Sequence, residues 1–475
     1  MRDGIVLMPQ PSDDPNDPLN WSQFRKNMAM ATISYLALVC YMTVTTLVPA
    51  TLSLATEFNV SLSKAVYLGS TPVALYGVAP WVWSPMSHFL GRRPVLLISN
   101  IIAMAGTVIT STAENYGVCM AGRVILGIGG SSFWTLGPAC IDEIFFNHEK
   151  GTKIGISTLA IVFSTFLGGI IGGAIMHNPS LGWRGTQWIP LILMGTGFVG
   201  QVFFLPETMY DREAVAAEVC QQTARRRSTL WSQYGVSMPK RSGAPQHGFW
   251  FVATRPLTLL RYPVVLLSSF WFGIVYTMIV GVFSEIPLIF EPQFGFTQLD
   301  VGLASIAGLI GAVLGEALAG PSINTFAKRG LRNGKHWQPE RTLNAIWPSL
   351  IAVPGGLIMF GTSIQFGRSW VTPLVGMGIY TFGIEVGMTV VQTYILECYT
   401  KQGAEVNLIF NLFRNVMTYV SPFFVEPMIA KLGTSAPYCL FAGLTVFFFP
   451  FTMGILMWRG ERIREKSGMP NWGKE

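Results

Sequence analysis

Charge is scarce in this chain. Asp, Glu, Lys and Arg together make up 12% of its 475 residues, against roughly 25% in a soluble globular protein. So few charges cannot cover the surface of water-soluble domains, which excludes a soluble enzyme. Half of the residues are hydrophobic, with a mean hydropathy of +0.44, which excludes a disordered chain. Cysteine is sparse too. Cys40, Cys119, Cys140, Cys220, Cys398 and Cys439 form no CxxC pair and no metal-ligand spacing, so they read as small apolar residues rather than a disulfide or zinc framework. His88, His148, His177, His247 and His336 make no metal set, and after His148-Glu149 the second histidine of a zincin is replaced by Thr152. There is no GxxxxGK[ST] sequence to cradle ATP. No cofactor and no metal are expected.

What the chain has instead is long apolar runs. A helix crossing the hydrocarbon core needs about 20 mostly apolar residues. Twelve runs qualify: 28–51, 65–85, 94–112, 116–140, 154–177, 186–205, 262–290, 299–321, 342–365, 371–395, 404–430 and 437–458. Residues 1–27 are polar and lack the apolar core of a cleavable signal. With both termini cytosolic, 26 of the 32 Lys and Arg fall on cytosolic segments. Only Lys64, Arg184, Arg368 and Lys431 fall outside, and Arg123 and Arg414 lie within spans. That asymmetry obeys the positive-inside rule. The net charge of +7 then reflects contact with anionic lipid headgroups, with no nucleic-acid partner required. Asn59-Val60-Ser61 is a glycosylation sequon in the first outer loop; Asn20-Trp21-Ser22 lies in the cytosolic tail and should stay unmodified.

The loops are short except for one. The expected layout is a cytosolic tail (1–27), a six-helix bundle (28–205), a polar linker (206–261) with an amphipathic start near Ala214–Ala224, a second six-helix bundle (262–458) and a cytosolic tail (459–475). Both halves carry a basic turn between their second and third spans, at Ser87–Arg93 and at Asn324–Gly330. The fold class is therefore an all-α membrane protein of twelve transmembrane helices in two six-helix bundles. A six-plus-six repeat places a cavity between the halves near the bilayer midplane.

The sequence resembles the major facilitator superfamily, in its fungal twelve-span drug:proton antiporter group, over nearly its whole length. Asp17-Pro18-Leu19-Asn20-Trp21-Ser22 resembles the group's cytosolic lead-in. Gly91-Arg92-Arg93-Pro94 is similar to the family signature between spans two and three, and Arg123, Gly127 and Gly129 to the arginine–glycine pattern of span four. Gly168, Gly172 and Gly173, followed by Gly182-Trp183-Arg184, resemble the span-five antiporter motif and its outer loop. Pro206-Glu207-Thr208, Asn333-Gly334 with Pro339-Glu340-Arg341, and Asn411 with Arg414 complete the resemblance. The resemblance implies the major facilitator fold, with His88, Gly91, Arg92 and Arg93 as the gating motif. Two positions depart from the pattern. His88 stands where relatives carry Asp or Glu, and a histidine cannot pair with arginine as an anion does. Gly169 stands where the antiporter motif has proline, which removes the fixed backbone angle proline would impose.

Ionisable groups inside a membrane are costly and hence functional candidates. The first half has only Arg123, whereas the second has Glu285, Glu316, Glu385, Glu405, Glu426 and Arg414. Glu385, Glu316 and Glu285 are the proton-coupling candidates. Glu385 on span ten and Arg414 on span eleven lie at similar depth, as either a coupling pair or a permanent ion bridge. Asn407, Asn411, Arg414, Asn415 and Thr418 share one face of span eleven. That face lines either a substrate path or a hydrogen-bonded helix seam. Among the intramembrane aromatics, Trp134, Trp271, Tyr276 and Tyr380 join Arg123, Asn411, Arg414 and Asn415 as substrate-path candidates, with packing as the alternative role. Aromatic walls with few fixed charges suit an amphipathic organic molecule.

Together these features point to a monomeric secondary transporter in the plasma membrane. It would export small hydrophobic or amphipathic organic compounds (drugs, toxins or secondary metabolites) in exchange for protons. The alternative is a proton-coupled importer of a small organic cation or nutrient such as a polyamine. An embedded enzyme would need a catalytic constellation that is missing here, and a nutrient sensor would need a long signalling tail.

Overall fold

A computed structural model describes residues 14, 17–210, 248–332, 338–399 and 402–468, and every regular element among them is helical. The helices are α1 (Gln23–Thr45), α2 (Thr51–Glu57), α3 (Leu62–Val78), α4 (Pro80–Leu90), α5 (Arg92–Ser111), α6 (Tyr116–Ile144), α7 (Asn147–Met176) and α8 (Gly182–Phe204). After the linker come α9 (Phe249–Thr258), α10 (Pro263–Phe294), α11 (Gln298–Arg332), α12 (Trp347–Gln365), α13 (Val371–Cys398), α14 (Gly403–Leu432), α15 (Ser435–Phe448) and α16 (Ile455–Ser467). The expected amphipathic start of the linker at Ala214–Ala224, like Asn333 and Gly334, lies outside the described residues.

Eleven helical stretches among the described residues are long and apolar enough to cross a membrane. The second expected span, 65–85, makes the twelfth in two pieces, α3 and α4, which part at Ala79. Pro80 has no N–H to continue the ladder, and its ring crowds the preceding turn. Span one likewise breaks at a short 3₁₀ turn, Val48–Ala50, containing Pro49. Span twelve passes through a π-helical turn at Pro450–Gly454 and continues as α16 well beyond the expected end at Trp458. The architecture is the expected one of twelve transmembrane helices.

The chain divides into two compact units, the first built from residues 1–43, 78–165 and 187–254, the second from 44–77, 166–186 and 255–475. In the first, α5 and α6 meet along a glycine seam. A Cβ on Gly106 would lie 2.7 Å from the Gly122 carbonyl oxygen, and one on Gly129 would lie 2.8 Å from the Ala103 Cα. Lipid offers no hydrophobic drive for helices to associate, so this close backbone approach supplies the attraction. Ahead of α1, Asp17 caps a 3₁₀ turn by accepting from the Leu19 amide at 3.0 Å. Lys26, almost wholly buried, donates to the Leu19 carbonyl at 3.0 Å and sits 4.7 Å from the Phe146 ring centre. The Asp17–Ser22 segment thus supplies an oxygen to a buried cation.

In the second unit, Gly311 meets the Gly378 carbonyl and Gly356 the Tyr380 amide, drawing α11 and α12 onto α13. Two further seams belong to the same unit. Gly172 of α7 touches the Thr46 carbonyl, and a Cβ on Gly173 would fall 2.7 Å from the Gln298 carbonyl and 2.8 Å from the Gly302 Cα. Gly77 of α3 abuts Asn415 of α14, where a Cβ would fall 3.0 Å from the asparagine Cβ.

Glycine costs a helix interior about 1 kcal/mol relative to alanine, so a Gly→Ala change is stabilising where there is space. Gly129→Ala should instead lower the thermal midpoint of the purified protein, with overpacking costing about 1–3 kcal/mol. Gly155→Ala, where a Cβ meets nothing within 4 Å, should hold or raise it. Equal midpoints for the two variants would contradict the seam.

Candidate functional site

The basic turn of the first unit is built around Gly91, whose φ of 97° closes α4 and opens α5. That backbone geometry is one L side chains rarely adopt. It aims Arg92 at the end of α6, where its Nε donates to Glu143 Oε1 at 3.0 Å and its Nη2 lies 3.0 Å from the same oxygen. Arg92 Nη1 also donates to the Ser87 hydroxyl. Glu207, just past α8, accepts from the amides of Arg92 (2.9 Å), Arg93 (3.1 Å) and Met209 (3.0 Å). It therefore caps the positive end of α5. Arg93 Nη2 donates to the Val202 carbonyl at 3.0 Å, and Thr208 Oγ1 to Glu143 Oε2 at 2.6 Å. Burial pushes the Glu207 carboxyl above the usual range, against the amide bonds that pull it down. His88 occupies the last turn of α4, half-buried. Glu143 and Glu207 complete this cluster, and reading the motif alone misses both as site residues. The available signal was an acidic residue at the end of span four and another directly after span six.

The second unit gathers most of the intramembrane candidates. Glu385 of α13 is 8% exposed and Arg414 of α14 1%, and Glu385 feels the charges of both Arg414 and Glu316 of α11. Glu316 accepts from Thr389 Oγ1 at 2.7 Å. Arg414 lies with its guanidinium carbon 5.2 Å from the Tyr276 ring centre and Nη1 3.9 Å from the Met388 sulfur. Asn411, Asn415 and Thr418 are buried with it, so the polar stripe faces protein. Thr418 Oγ1 donates to its own helix at the Arg414 carbonyl (2.7 Å) and, at 3.3 Å, to the Tyr276 carbonyl of α10. Gln392 reaches Asn407 at 2.9 Å, and the Tyr380 hydroxyl donates to the Val275 carbonyl at 3.0 Å. The outcome is a carboxylate pair and an arginine on three helices, walled by two tyrosines.

Other candidates stand apart from this set. Trp271 donates from Nε1 to the Thr445 carbonyl of α15 at 3.2 Å, a packing bond. Arg123 and Trp134 belong to the first unit. There, fully buried Arg123 donates to the Thr43 carbonyl (3.2 Å) and to Gln187 Oε1 (3.4 Å), and Trp134 packs on Tyr41 with ring centres 5.3 Å apart. Gly168 is buried beside the Gly172–Gly173 seam, and Gly169 meets the Ser305 hydroxyl of α11. At the end of α2, Glu57 accepts from both the Trp183 indole N–H and, at 2.7 Å, Arg184 Nη1. Asn59 is exposed with φ of 49° in the turn between α2 and α3. Glu285 of α10 is 5% exposed, and the charge of Glu426 on α14 acts on it.

The Arg92–Glu143–Glu207 cluster predicts non-additive energetics, because removing one member leaves the other charge buried. Arg92→Ala and Glu143→Ala should each lower thermal stability, and the double variant should be less destabilised than the sum by about 0.5–3 kcal/mol. Simple additivity would show that the pair does not act as a unit.

With this geometry in view, the comparisons with known proteins are informative. The chain is 26% identical over 461 residues to the MFS-type transporter penM of Penicillium rubens, covering 95% of this chain and 88% of that one. It is 25% identical to the cycloheximide resistance protein of Candida maltosa, covering 80% of this chain and 69% of that one. Among solved structures, a D-xylose–proton symporter superposes with a TM-score of 0.65 at 17% identity, covering 92% of this chain and 98% of the other. That likeness shows the fold. The profile of the Major Facilitator Superfamily matches residues 33–422, and the chain belongs to that superfamily of membrane transporters.

Proposed function

We propose that this transporter exports small hydrophobic or amphipathic organic compounds in exchange for protons, with its two six-span halves (28–205 and 262–458) alternating around a shared path. The observation that carries this reading is the set of buried Glu385 and Arg414 with half-buried Glu316, with Tyr276 and Tyr380 beside it. A carboxylate deep in a protein is more stable neutral, and an arginine drawn close makes the ionised form the more stable one. A set whose arginine can approach or withdraw therefore loads a proton in one arrangement and releases it in another. Three different helices carry the three groups, so a relative shift of α13 against α14 or α11 would change their spacing.

The substrate class rests on the aromatic walls and low charge of this region, together with the company the chain keeps. One relative is named for resistance to cycloheximide, itself an organic compound. The Gly172–Gly173 seam against Thr46, Gln298 and Gly302 supports a small-residue contact able to close one face of the path. The basic turn with Arg92, Glu143 and Glu207 would brace the cytosolic end of the first half while the halves rock. In the plasma membrane with both termini cytosolic, exposed Asn59 would carry a glycan.

Glu385→Gln keeps the shape of the side chain and removes its titration. In proteoliposomes bearing an imposed pH gradient, the wild-type protein should accumulate an amphipathic dye against its own gradient. Glu385→Gln should fall at least about tenfold, a barrier change of about 1.4 kcal/mol, while binding the dye and melting as before. Undiminished gradient-driven accumulation would remove Glu385 from the coupling step.

A further inference from the structure

One hydrogen bond in the Glu385–Glu316–Arg414 set has an unusual partner. A threonine inside a helix ordinarily gives its hydroxyl proton to the carbonyl four residues back, as Thr277 and Thr418 do. Thr389 of α13 does otherwise. Its hydroxyl donates across the helix interface to Glu316 Oε2 of α11 at 2.7 Å. Among the described residues this is the one hydrogen bond its side chain makes. A hydroxyl has a single proton, so the bond to Glu316 replaces the local one.

The register of α11 against α13 sets up this meeting. At Gly311 the two backbones touch beside Gly378, and at Gly315 a Cβ would fall 2.7 Å from the Phe382 carbonyl oxygen and 2.9 Å from the Glu385 Cβ. The next residue of α11, Glu316, then reaches Thr389, one turn beyond Glu385 on the same face of α13. Arg414 arrives at this turn from α14, with Nη1 3.9 Å from the sulfur of Met388, the residue before Thr389. Glu340, in the 3₁₀ turn Pro339–Ile346, is engaged instead by Arg464 of α16 at 3.4 Å.

Two carboxylates in one set need not do the same work. Glu316 is half-buried and accepts from a hydroxyl. Glu385 is 8% exposed, and its carboxyl makes no hydrogen bond among the described residues. A hydrogen bond donated to a carboxylate favours the ionised form, whereas burial without one favours the neutral form. We propose that Thr389 is a positioning residue that fixes Glu316 as the standing anion of the set and leaves Glu385 to carry the exchanged proton. This rests on the reading of the chain as a proton-coupled exporter and divides the work between its two carboxylates. In the coupling step a proton adds to the Glu385 carboxylate when Arg414 is withdrawn and leaves it when Arg414 approaches. The Thr389–Glu316 bond persists throughout.

The test measures uptake of rhodamine 6G by proteoliposomes of the full-length protein under an imposed pH gradient, as initial rate against dye concentration. Thr389→Val keeps the shape of the side chain and removes the donor. It should lower kcat about fivefold, the worth of a typical hydrogen bond, with KM within about twofold and the thermal midpoint of wild type. Thr389→Ala should match it, so that a folding defect peculiar to valine does not decide the outcome. Thr389→Ser restores the hydroxyl and should keep at least about half of the wild-type kcat. Because Thr389 acts through Glu316, adding Thr389→Val to Glu316→Gln should change kcat by less than about twofold. Wild-type kcat in both Thr389→Val and Thr389→Ala, a serine variant as slow as they are, or full multiplication of the two single effects in the double variant overturns the positioning role. Loss of gradient-driven uptake in Glu385→Gln would then leave the exporter reading standing. Wild-type protein that takes up no more dye than protein-free vesicles, with its thermal midpoint intact, overturns both.

Discussion

Lipid offers no hydrogen-bond partner, and the rest of this structure answers to that constraint. Each polar side chain at membrane depth must find its partner within the chain or remain neutral. Hydroxyls meet the demand locally: Thr43, Thr107, Thr277 and Thr418 all donate to the carbonyl four residues back. Arginines cannot, because a guanidinium carries five donors and no neutral alternative. Arg123 therefore collects oxygens from two other elements, and Arg414 is placed among Glu385, Tyr276 and Met388. Since such arrangements are expensive to build, their concentration in the second unit is the strongest physical hint of where work is done.

The same constraint explains why glycine is so abundant. Helices surrounded by hydrocarbon gain little from burying apolar side chains against one another, so they hold together through backbone proximity. The α5–α6 seam uses glycine for permanent contact. The seam of α7 against Thr46 and α11 uses the same chemistry at the position of the span-five motif, with Gly169 replacing the usual proline and meeting Ser305. Smooth seams without interlocking side chains are also the ones that can part and re-form with little cost. In this way one residue type serves both cohesion and rearrangement.

Hydropathy and basic-residue asymmetry made the number of spans legible, because lipid imposes a length and a charge rule on every crossing. The break at Ala79–Pro80 was not legible. Pro72, Pro85 and Pro138 all sit inside continuous helices, so a proline alone does not announce a break. Sequence motifs located Arg92 and Arg93 but not their partners, since Glu207 lies 115 positions from Arg92 and no local pattern links them. By contrast, the polar stripe on α14 was visible at once, because its members repeat at helical spacing on a single element.

What unites these features is a chain that gathers its few buried charges into sets drawn from different helices. The most direct measurement is proton flux itself, read with a pH-sensitive dye sealed inside proteoliposomes of the purified protein and an acidic lumen. Addition of an amphipathic organic substrate outside should discharge the lumen's acidity faster than in protein-free vesicles, as each molecule carried inward is exchanged for protons moving out. Substrate uptake through the protein with no change in lumenal pH would contradict the account.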